Sequence, residues 1–263
     1  MIDIHSHIIP GVDDGAKDWQ IALKLLEMAD ANGISDIIAT PHVLSESERP
    51  SWPQILSAVE VLRDMAVAAN LKINIHPGAE LELNWDMLAI LSEQHGEYCL
   101  AHSRYVLLEL PAQSIPAYAE DFFYRLQLMG KIPVLAHPER HSSLRERPEI
   151  LFKWLDKGVL TQTNIGSLNG LFGSQVQSFA QELLTSGAIH FLASDAHNTG
   201  GRNTDMARAL AKIEPKLATA QCQAFLVQNP ENILNNKFFV PPKAIIPKKK
   251  MKKKQGFWSR LLG

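Results

Sequence analysis

The chain of 263 residues has 28 acidic and 26 basic residues and is 46% hydrophobic, enough for one large barrel or two smaller domains around a sizeable core. Its two cysteines, Cys99 and Cys222, are too few and too unpatterned for a disulfide framework or a thiolate zinc site. No segment reaches transmembrane length and no basic, apolar leader opens the chain, so a cytoplasmic protein in a reducing compartment is expected.

Along the chain, short apolar segments ending in polar groups recur: MIDIHSH, SDIIATPH, KINIHPGAE, RYVLLELP, IPVLAHPER, VLTQTNIGS and AIHFLASDAH. Each predicts a parallel strand buried on both faces. Between them lie helical stretches such as DWQIALKLLEMADANG, ending at Gly33, and AYAEDFFYRLQLMGK, ending near Gly130, with apolar residues at three- and four-residue spacing. The pattern is α/β, with βα repeated about seven times. An open sheet would concentrate polar residues at one switch point, whereas a barrel delivers every strand end to one shared face. Nearly every strand here ends in His, Asp or Glu, which favours the barrel.

Past FFVPPKAIIP the alternation stops. Pro241, Pro242 and Pro247 oppose a helix, so residues 1–240 are expected to form the barrel and residues 241–263 a linker with a polybasic tail. Eight of the 26 basic residues, Lys243 to Arg260, fall after residue 242 and no acid does, which leaves the body near −10 and the tail near +8. Phe257, Trp258, Leu261 and Leu262 follow the lysines, a composition suited to an anionic membrane surface or to a solubilising tail. Nucleic acid is the weaker partner, because the body is acidic.

The strand-end groups are His5 and His7, Asp14 just beyond, His42, Glu80, Glu109, His137, and Asp195 with His197. Side chains alternate along a strand, so His5 and His7 point one way, as do Asp195 and His197. Four converging carboxylates make sense with cations present, and three divalent ions would supply about +6 against −4, leaving a positive remainder for an anionic substrate. Imidazole and carboxylate without thiolate suit manganese, iron or zinc. His76, His95, His102 and His190 are read as packed core histidines.

These residues resemble the PHP (polymerase and histidinol phosphatase) family and, within it, the bacterial manganese-dependent protein tyrosine phosphatases associated with capsule and exopolysaccharide production. The likeness runs through MIDIHSHIIPGVDDGAKDW, DIIATPHV, GAELEL, LLELP, LAHPER, NIGSL and LASDAHN, over roughly residues 1–240. It implies a distorted (β/α)7 TIM-like barrel with three divalent cations, Mn2+ first, at the strand C-termini. Carried over by position, His5, His7, Glu80 and Asp195 surround one ion, Glu80, Glu109 and His137 a second, and Asp14, His42 and His197 a third. Glu82 shares the strand parity of Glu80, and Asp13 competes with Asp14, so both choices rest on the family pattern. Arg140 and Arg202 match the family's phosphate-binding arginines, while Asn164 and Ser167 stay unassigned.

The resemblance implies hydrolysis of phosphotyrosine on protein by metal-activated hydroxide, with the arginines holding phosphate. The implied partner is an inner-membrane tyrosine kinase, beside which the tail would hold the enzyme at the inner face of the membrane. A cysteine phosphatase is excluded, because the sixth residue after each cysteine is Tyr105 or Gln228 rather than arginine. Competing readings are a histidinol-phosphate or other small-molecule phosphatase and an amidohydrolase, which would place a lysine where Glu109 stands. A metal-stabilised scaffold without turnover is the reading from another class.

Overall fold

The computed structural model describes residues 1–44, 50–93, 96–213 and 217–245. The polybasic stretch and its apolar end therefore lie outside the described residues, as does His95.

The strands are parallel throughout. β1 (Ile2–Ser6), β2 (Asp36–Ala39) and β4 (Asn74–Pro77) pair in the order β1-β2-β4. β3 (His42–Val43), β5 (Glu80–Glu82), β6 (Tyr105–Glu109), β7 (Ile132–Ala136), β8 (Leu160–Asn164) and β9 (Phe191–Ala193) pair in that sequence. Thr40 and Pro41 separate β2 from β3, and Gly78 and Ala79 separate β4 from β5. Proline has no N–H to give a ladder, and glycine weakens one, so two long strands are each broken in two. Counted as continuous strands, the segments among the described residues number seven, as the sequence pattern predicts.

The ring closes between β9 and β1. Asp195 N–H donates to the His5 carbonyl at 2.9 Å and His7 N–H to the Ala196 carbonyl at 2.8 Å. Across the same seam the backbone N–H and hydroxyl of Ser194 donate to the buried Asp3 carboxylate at 3.0 and 2.6 Å. The fold is thus a closed, distorted (β/α)7 barrel.

Helices α1 (Trp19–Ala31), α2 (Trp52–Ala68), α3 (Trp85–Glu93) and α4 (Ala119–Leu128) follow the first strands. α5 (Ser142–Glu146), α6 (Pro148–Leu155), α7 (Ile165–Leu168), α8 (Ser174–Thr185), α9 (Met206–Ile213), α10 (Thr219–Gln223) and α11 (Asn229–Leu234) complete the set. α1 starts where the Asp18 carboxylate accepts from Ile21 N–H, buries Ala22, Leu25, Leu26 and Ala29, and stops before Gly33. That spacing is one face of a helix, and each fully buried leucine contributes roughly 1.5–3 kcal/mol. α2 opens on a Ser51–Gln54 capping box with proline in its first turn.

Two apolar clusters result, one between strands and helices and one inside the barrel. The inner cluster includes Ile2, Ile4, Tyr105, Leu107, Val134 and Phe191, closed below by Leu100 and Ile233. Here every polar group described below has a partner. The Tyr105 hydroxyl donates to the Lys237 carbonyl at 2.7 Å, and burial pushes it up to about 12. His190 Nδ1 accepts from Thr161 N–H at 2.9 Å, and burial pulls this imidazole down to about 4. The chain then returns to the floor, where Ile245 N–H donates to the Ser186 carbonyl and Lys243 pairs with Asp156.

The sequence reading misses one feature that matters for the site. The register of β1 on β2 slips by one residue between Asp3 and Ser6, a bulge that re-aims the following side chains. Ile2 and Ile4 join the interior cluster, and past the slip His5 and His7 face the same interior.

Candidate metal centre

At the C-terminal end of the barrel, strand ends from all around the ring bring the nine predicted groups into one cluster. His5 Nδ1–H donates to Gln162 Oε1 at 2.9 Å and His7 Nδ1–H to Asp13 Oδ2 at 2.8 Å. These bonds turn the two Nε2 atoms toward each other, 3.0 Å apart. Glu80 Oε2 lies 3.1 and 3.2 Å from them, and Asp195 Oδ1 3.6 and 3.5 Å. Metal bonds of about 2.0–2.2 Å place neighbouring ligand atoms about 3 Å apart, so this spacing fits one shared cation.

Two further groupings adjoin it. Glu80 Oε1 is 2.9 Å from His137 Nε2, and Glu109 Oε1 is 3.7 Å from the same nitrogen. Asp14 Oδ1 is 3.2 Å from His197 Nε2 and 3.6 Å from His42 Nε2. The His42 ring lies between these groupings, because its Nδ1 is 3.2 Å from Glu80 Oε2 and 3.6 Å from Glu109 Oε2.

Hydrogen bonding tests whether cations fit. His197 Nδ1–H donates to the Asp195 carbonyl at 3.0 Å, which leaves a lone pair on Nε2 aimed at the Asp14 carboxylate. His197 Nε2, His42 Nδ1 and Glu80 Oε2 are all buried without a hydrogen bond. Buried polar atoms seldom stay unpartnered, and here the His42 nitrogen faces the Glu80 oxygen and the His197 nitrogen faces Asp14. Divalent cations would supply the missing partner, and the oxygen and imidazole donors fit the metals named above.

Without a cation, burial disfavours charge on His7, yet the adjacent Asp13 and Glu80 carboxylates outweigh it and push the imidazole up to about 10. Asp13, also buried, is pulled down to about 2 by His7 and by the N–H groups of His42 and Gly15. His197 is drawn down to about 4 by burial and by the charge of His7. Burial and the nearby Glu80 charge raise Glu109. Burial would raise Glu80 too, but the surrounding histidines hold it far below the usual range.

Local backbone explains the placement. His137 and Asp195 adopt φ of +29° and +52° at the ends of β7 and β9, a conformation non-glycine residues avoid unless their surroundings impose it. In the first loop, a Cβ on Gly15 would lie 2.2 Å from the His7 carbonyl oxygen, so only glycine allows Asp13 and Asp14 to curl back over β1. This separates the competing aspartates: Asp13 bonds the far nitrogen of His7 and the backbone N–H of His42, whereas Asp14 faces His42 and His197.

Several supporting residues escape the sequence reading. Gln162 accepts from His5 and from His137 N–H, and its own amide donates to Asn164. Buried Glu139 accepts from Asn164 N–H and the Ser167 hydroxyl, which fixes the turn carrying Arg140. Carboxylate or amide partners on the second nitrogen of a ligand histidine are the available signal, although sequence does not say which residue supplies them. Of the histidines read as core, His190 fits. His76 instead pairs with Asp36 at 2.9 Å in a half-buried position, and His102 is exposed against Trp52, so both are corrected to surface roles.

Arg140 Nη1 donates to Asp195 Oδ2 at 2.8 Å, and Arg202 Nη2 to both Asp195 oxygens at 2.9 Å. Burial opposes the Asp195 charge, but His5, His137, His7 and Arg202 hold its carboxyl well below the usual range. Arg202 Nε is buried without a partner. Beside the cluster a groove of about 700 Å³ is lined by Val12, Asp13, Asp14, His42, Leu44, Pro50, Gln54 and Glu109.

Residues 1–235 match the family described as "Capsular polysaccharide synthesis, CpsB/CapC". The tyrosine-protein phosphatase YwqE of Bacillus subtilis (strain 168) is 36% identical over 247 residues, covering 93% of this chain and 96% of the relative. The putative tyrosine-protein phosphatase CapC of Staphylococcus aureus is 34% identical over 202 residues, covering 77% and 79%. A solved structure from the work on YwqE of Bacillus subtilis and CpsB of Streptococcus pneumoniae, described as metal-dependent tyrosine phosphatases, superposes with a TM-score of 0.88. It is 35% identical and covers 95% of this chain and 100% of its own. Histidinol phosphate phosphatase of Lactococcus lactis subsp. lactis, at 15% identity and TM-score 0.52, shares the fold alone. With the barrel, the cluster and these likenesses together, the chain belongs to the CpsB/CapC family of capsular polysaccharide synthesis.

Proposed function

We propose that this protein is a metal-dependent phosphatase that hydrolyses phosphotyrosine on protein. The observation that carries the reading is the convergence of Arg140 and Arg202 on the rim of a histidine–carboxylate cluster whose buried lone pairs have no partner. Three divalent cations, manganese first, would be held by His5, His7, Glu80 and Asp195, by Glu80, Glu109 and His137, and by Asp14, His42 and His197. Bound there, they would supply Lewis-acid charge and would lower the pKa of water, to roughly 7 in favourable sites.

The chain's own residues do the rest. Arg140 and Arg202 present N–H edges to the non-bridging phosphoryl oxygens, and the buried Arg202 Nε is a donor ready for one of them. With a cation bound, Asp13 and Gln162 would hold His7 and His5 in the tautomer whose Nε2 lone pair faces it. Val12, Leu44 and Pro50 give the groove an apolar lip suited to an aromatic leaving group. A tyrosyl oxygen with a pKa of about 10 leaves with less help from a general acid than an alkoxide does.

The same reading takes residues 1–240 as the catalytic barrel and residues 241–263 as linker and tail. The protein partner is an inner-membrane tyrosine kinase, and the basic tail concentrates the enzyme on the anionic membrane beside it. Unchanged binding to anionic vesicles after removal of residues 243–263 would reject the tail's role.

Phosphate release from a phosphotyrosyl peptide, a phosphoseryl peptide and histidinol phosphate, with and without manganese, tests the function. Manganese-dependent turnover favouring the phosphotyrosyl peptide, and lost in His5→Ala and Arg140→Ala, is expected. Preference for histidinol phosphate would move the substrate to small molecules, and no turnover on any ester would reject catalysis.

A further inference from the structure

Phe172 stands out among the large aromatic residues. It sits at the tip of the connection between α7 and α8, half-buried, and belongs to neither apolar cluster. Gly170 and Gly173 flank it with φ of +83° and +91°, values that glycine adopts without strain and that project the intervening tip from the turn. Its ring faces two cations. The guanidinium carbon of Arg140 lies 4.8 Å from the ring centroid and that of Arg202 6.0 Å. The neighbouring Leu171 packs the tip onto the loop that carries Arg202, since a Cβ on Gly201 would meet Leu171 Cδ1 at 3.4 Å.

The two arginines come from different strand ends, after β7 and after β9, and both are long side chains with many rotamers. Like charges this close repel, and their bonds to Asp195 engage only Arg140 Nη1 and Arg202 Nη2, leaving Arg202 Nε without a partner. A guanidinium offers a flat face and a donor edge as separate surfaces. An aromatic ring takes the face by cation–π attraction and leaves the edge free for oxygen. A ring shared by two guanidinia therefore lowers the cost of holding them together.

We propose that Phe172 is a positioning residue for phosphoryl recognition: it braces Arg140 and Arg202 side by side so that their donor edges converge on the same phosphoryl group. The inference rests on the arginine role in the proposed function. Phe172 touches no substrate in this account and acts through the arginines. It reads out in affinity for the phosphoryl group rather than in metal content or fold.

The test is calorimetric binding of inorganic phosphate to the manganese-loaded full chain, alongside KM and kcat for a phosphotyrosyl peptide. Phe172→Leu keeps apolar bulk and removes the ring. It is expected to weaken phosphate binding and raise KM about tenfold, with bound manganese and melting temperature unchanged. Phe172→Tyr should restore most of the affinity, and in an Arg140→Ala background the cost of Phe172→Leu should shrink. Equal affinity in Phe172→Leu and the parent protein would overturn the proposal. So would an equal loss in Phe172→Leu and Phe172→Tyr accompanied by lower melting, which would mark a purely structural residue. Should the parent bind phosphate but hydrolyse no ester, the phosphatase reading fails while the binding series still judges Phe172.

Discussion

The two ends of the barrel use the same seven strands for opposite purposes. At the floor, Tyr105, Phe191 and Ile233 pack around polar groups that have partners, and His190 is kept neutral. At the mouth, His42, Glu80 and His197 hold buried atoms without hydrogen bonds, and His137 and Asp195 sit at positive φ. One end keeps the chain folded, and the other gathers unpartnered charge that a cation would balance on a backbone held at positive φ. The difference teaches where a substitution should be felt: floor changes in melting, mouth changes in turnover.

The largest effect expected is at the floor. Phe191→Ala empties the middle of the inner cluster and should lower stability by about 3–5 kcal/mol. Denaturant unfolding measures this, and manganese-dependent turnover per folded molecule should stay near that of the parent. A large loss of turnover with intact stability would break the comparison.

Asp14→Asn tests the other end. Its side chain is largely exposed and faces His42 and His197, so the metal-free protein should unfold at the same denaturant concentration. Turnover should fall about a hundredfold or more, equivalent to roughly 2.7 kcal/mol. A stability loss matching the activity loss would show that the mouth also carries the fold.

Gly15→Ala falls between the two. The new Cβ meets the His7 carbonyl, a backbone atom that moves only with the ligand strand, and a cost of about 1–3 kcal/mol in stability is expected. Manganese affinity should weaken in parallel, because the same shift displaces Asp13 and Asp14.

The smallest effect at neutral pH concerns His190. Its folded pKa of about 4 lies below the ordinary histidine value near 6.5. The unfolded chain therefore takes up a proton first as pH falls, so stability is lost between about 6.5 and 4 and is unaffected above that window. In metal-free protein, His190→Gln should flatten the pH dependence of unfolding across this range while leaving the slope at pH 7–8 unchanged. Identical slopes in both proteins would remove His190 from the floor's account.

How far sequence reads each end also differs. The βα alternation, the seven strands and most of the nine clustered side chains were legible from local pattern, namely apolar runs, helix stops and polar residues at strand ends, whereas the choice of Glu80 over Glu82 and of Asp14 over Asp13 came from the family resemblance. The β1 bulge was not, since it arises from pairing with β2 and leaves no mark in IDIHS. Gln162 is separated from His5 by 157 positions, and no periodicity connects them. The pairing of both arginines with Asp195 and the placement of Phe172 depend on how loops after β7, β8 and β9 meet, which only the closed ring decides. His76 and His102 failed for the converse reason, because a lone histidine in an apolar neighbourhood carries no sign of which side of the strand or turn it will face.

Met1 and the last described residue, Ile245, both lie at the floor, with the Met1 amino group on the Gly33 carbonyl and Ile245 on the Ser186 carbonyl that caps α8. A tether, fusion partner or sensor surface joined at Met1 or directly after Ile245 would therefore hold the protein by the pole opposite the histidine–carboxylate cluster. Immobilised this way, the barrel stands with its mouth outward, and macromolecular substrates can reach it without passing the point of attachment.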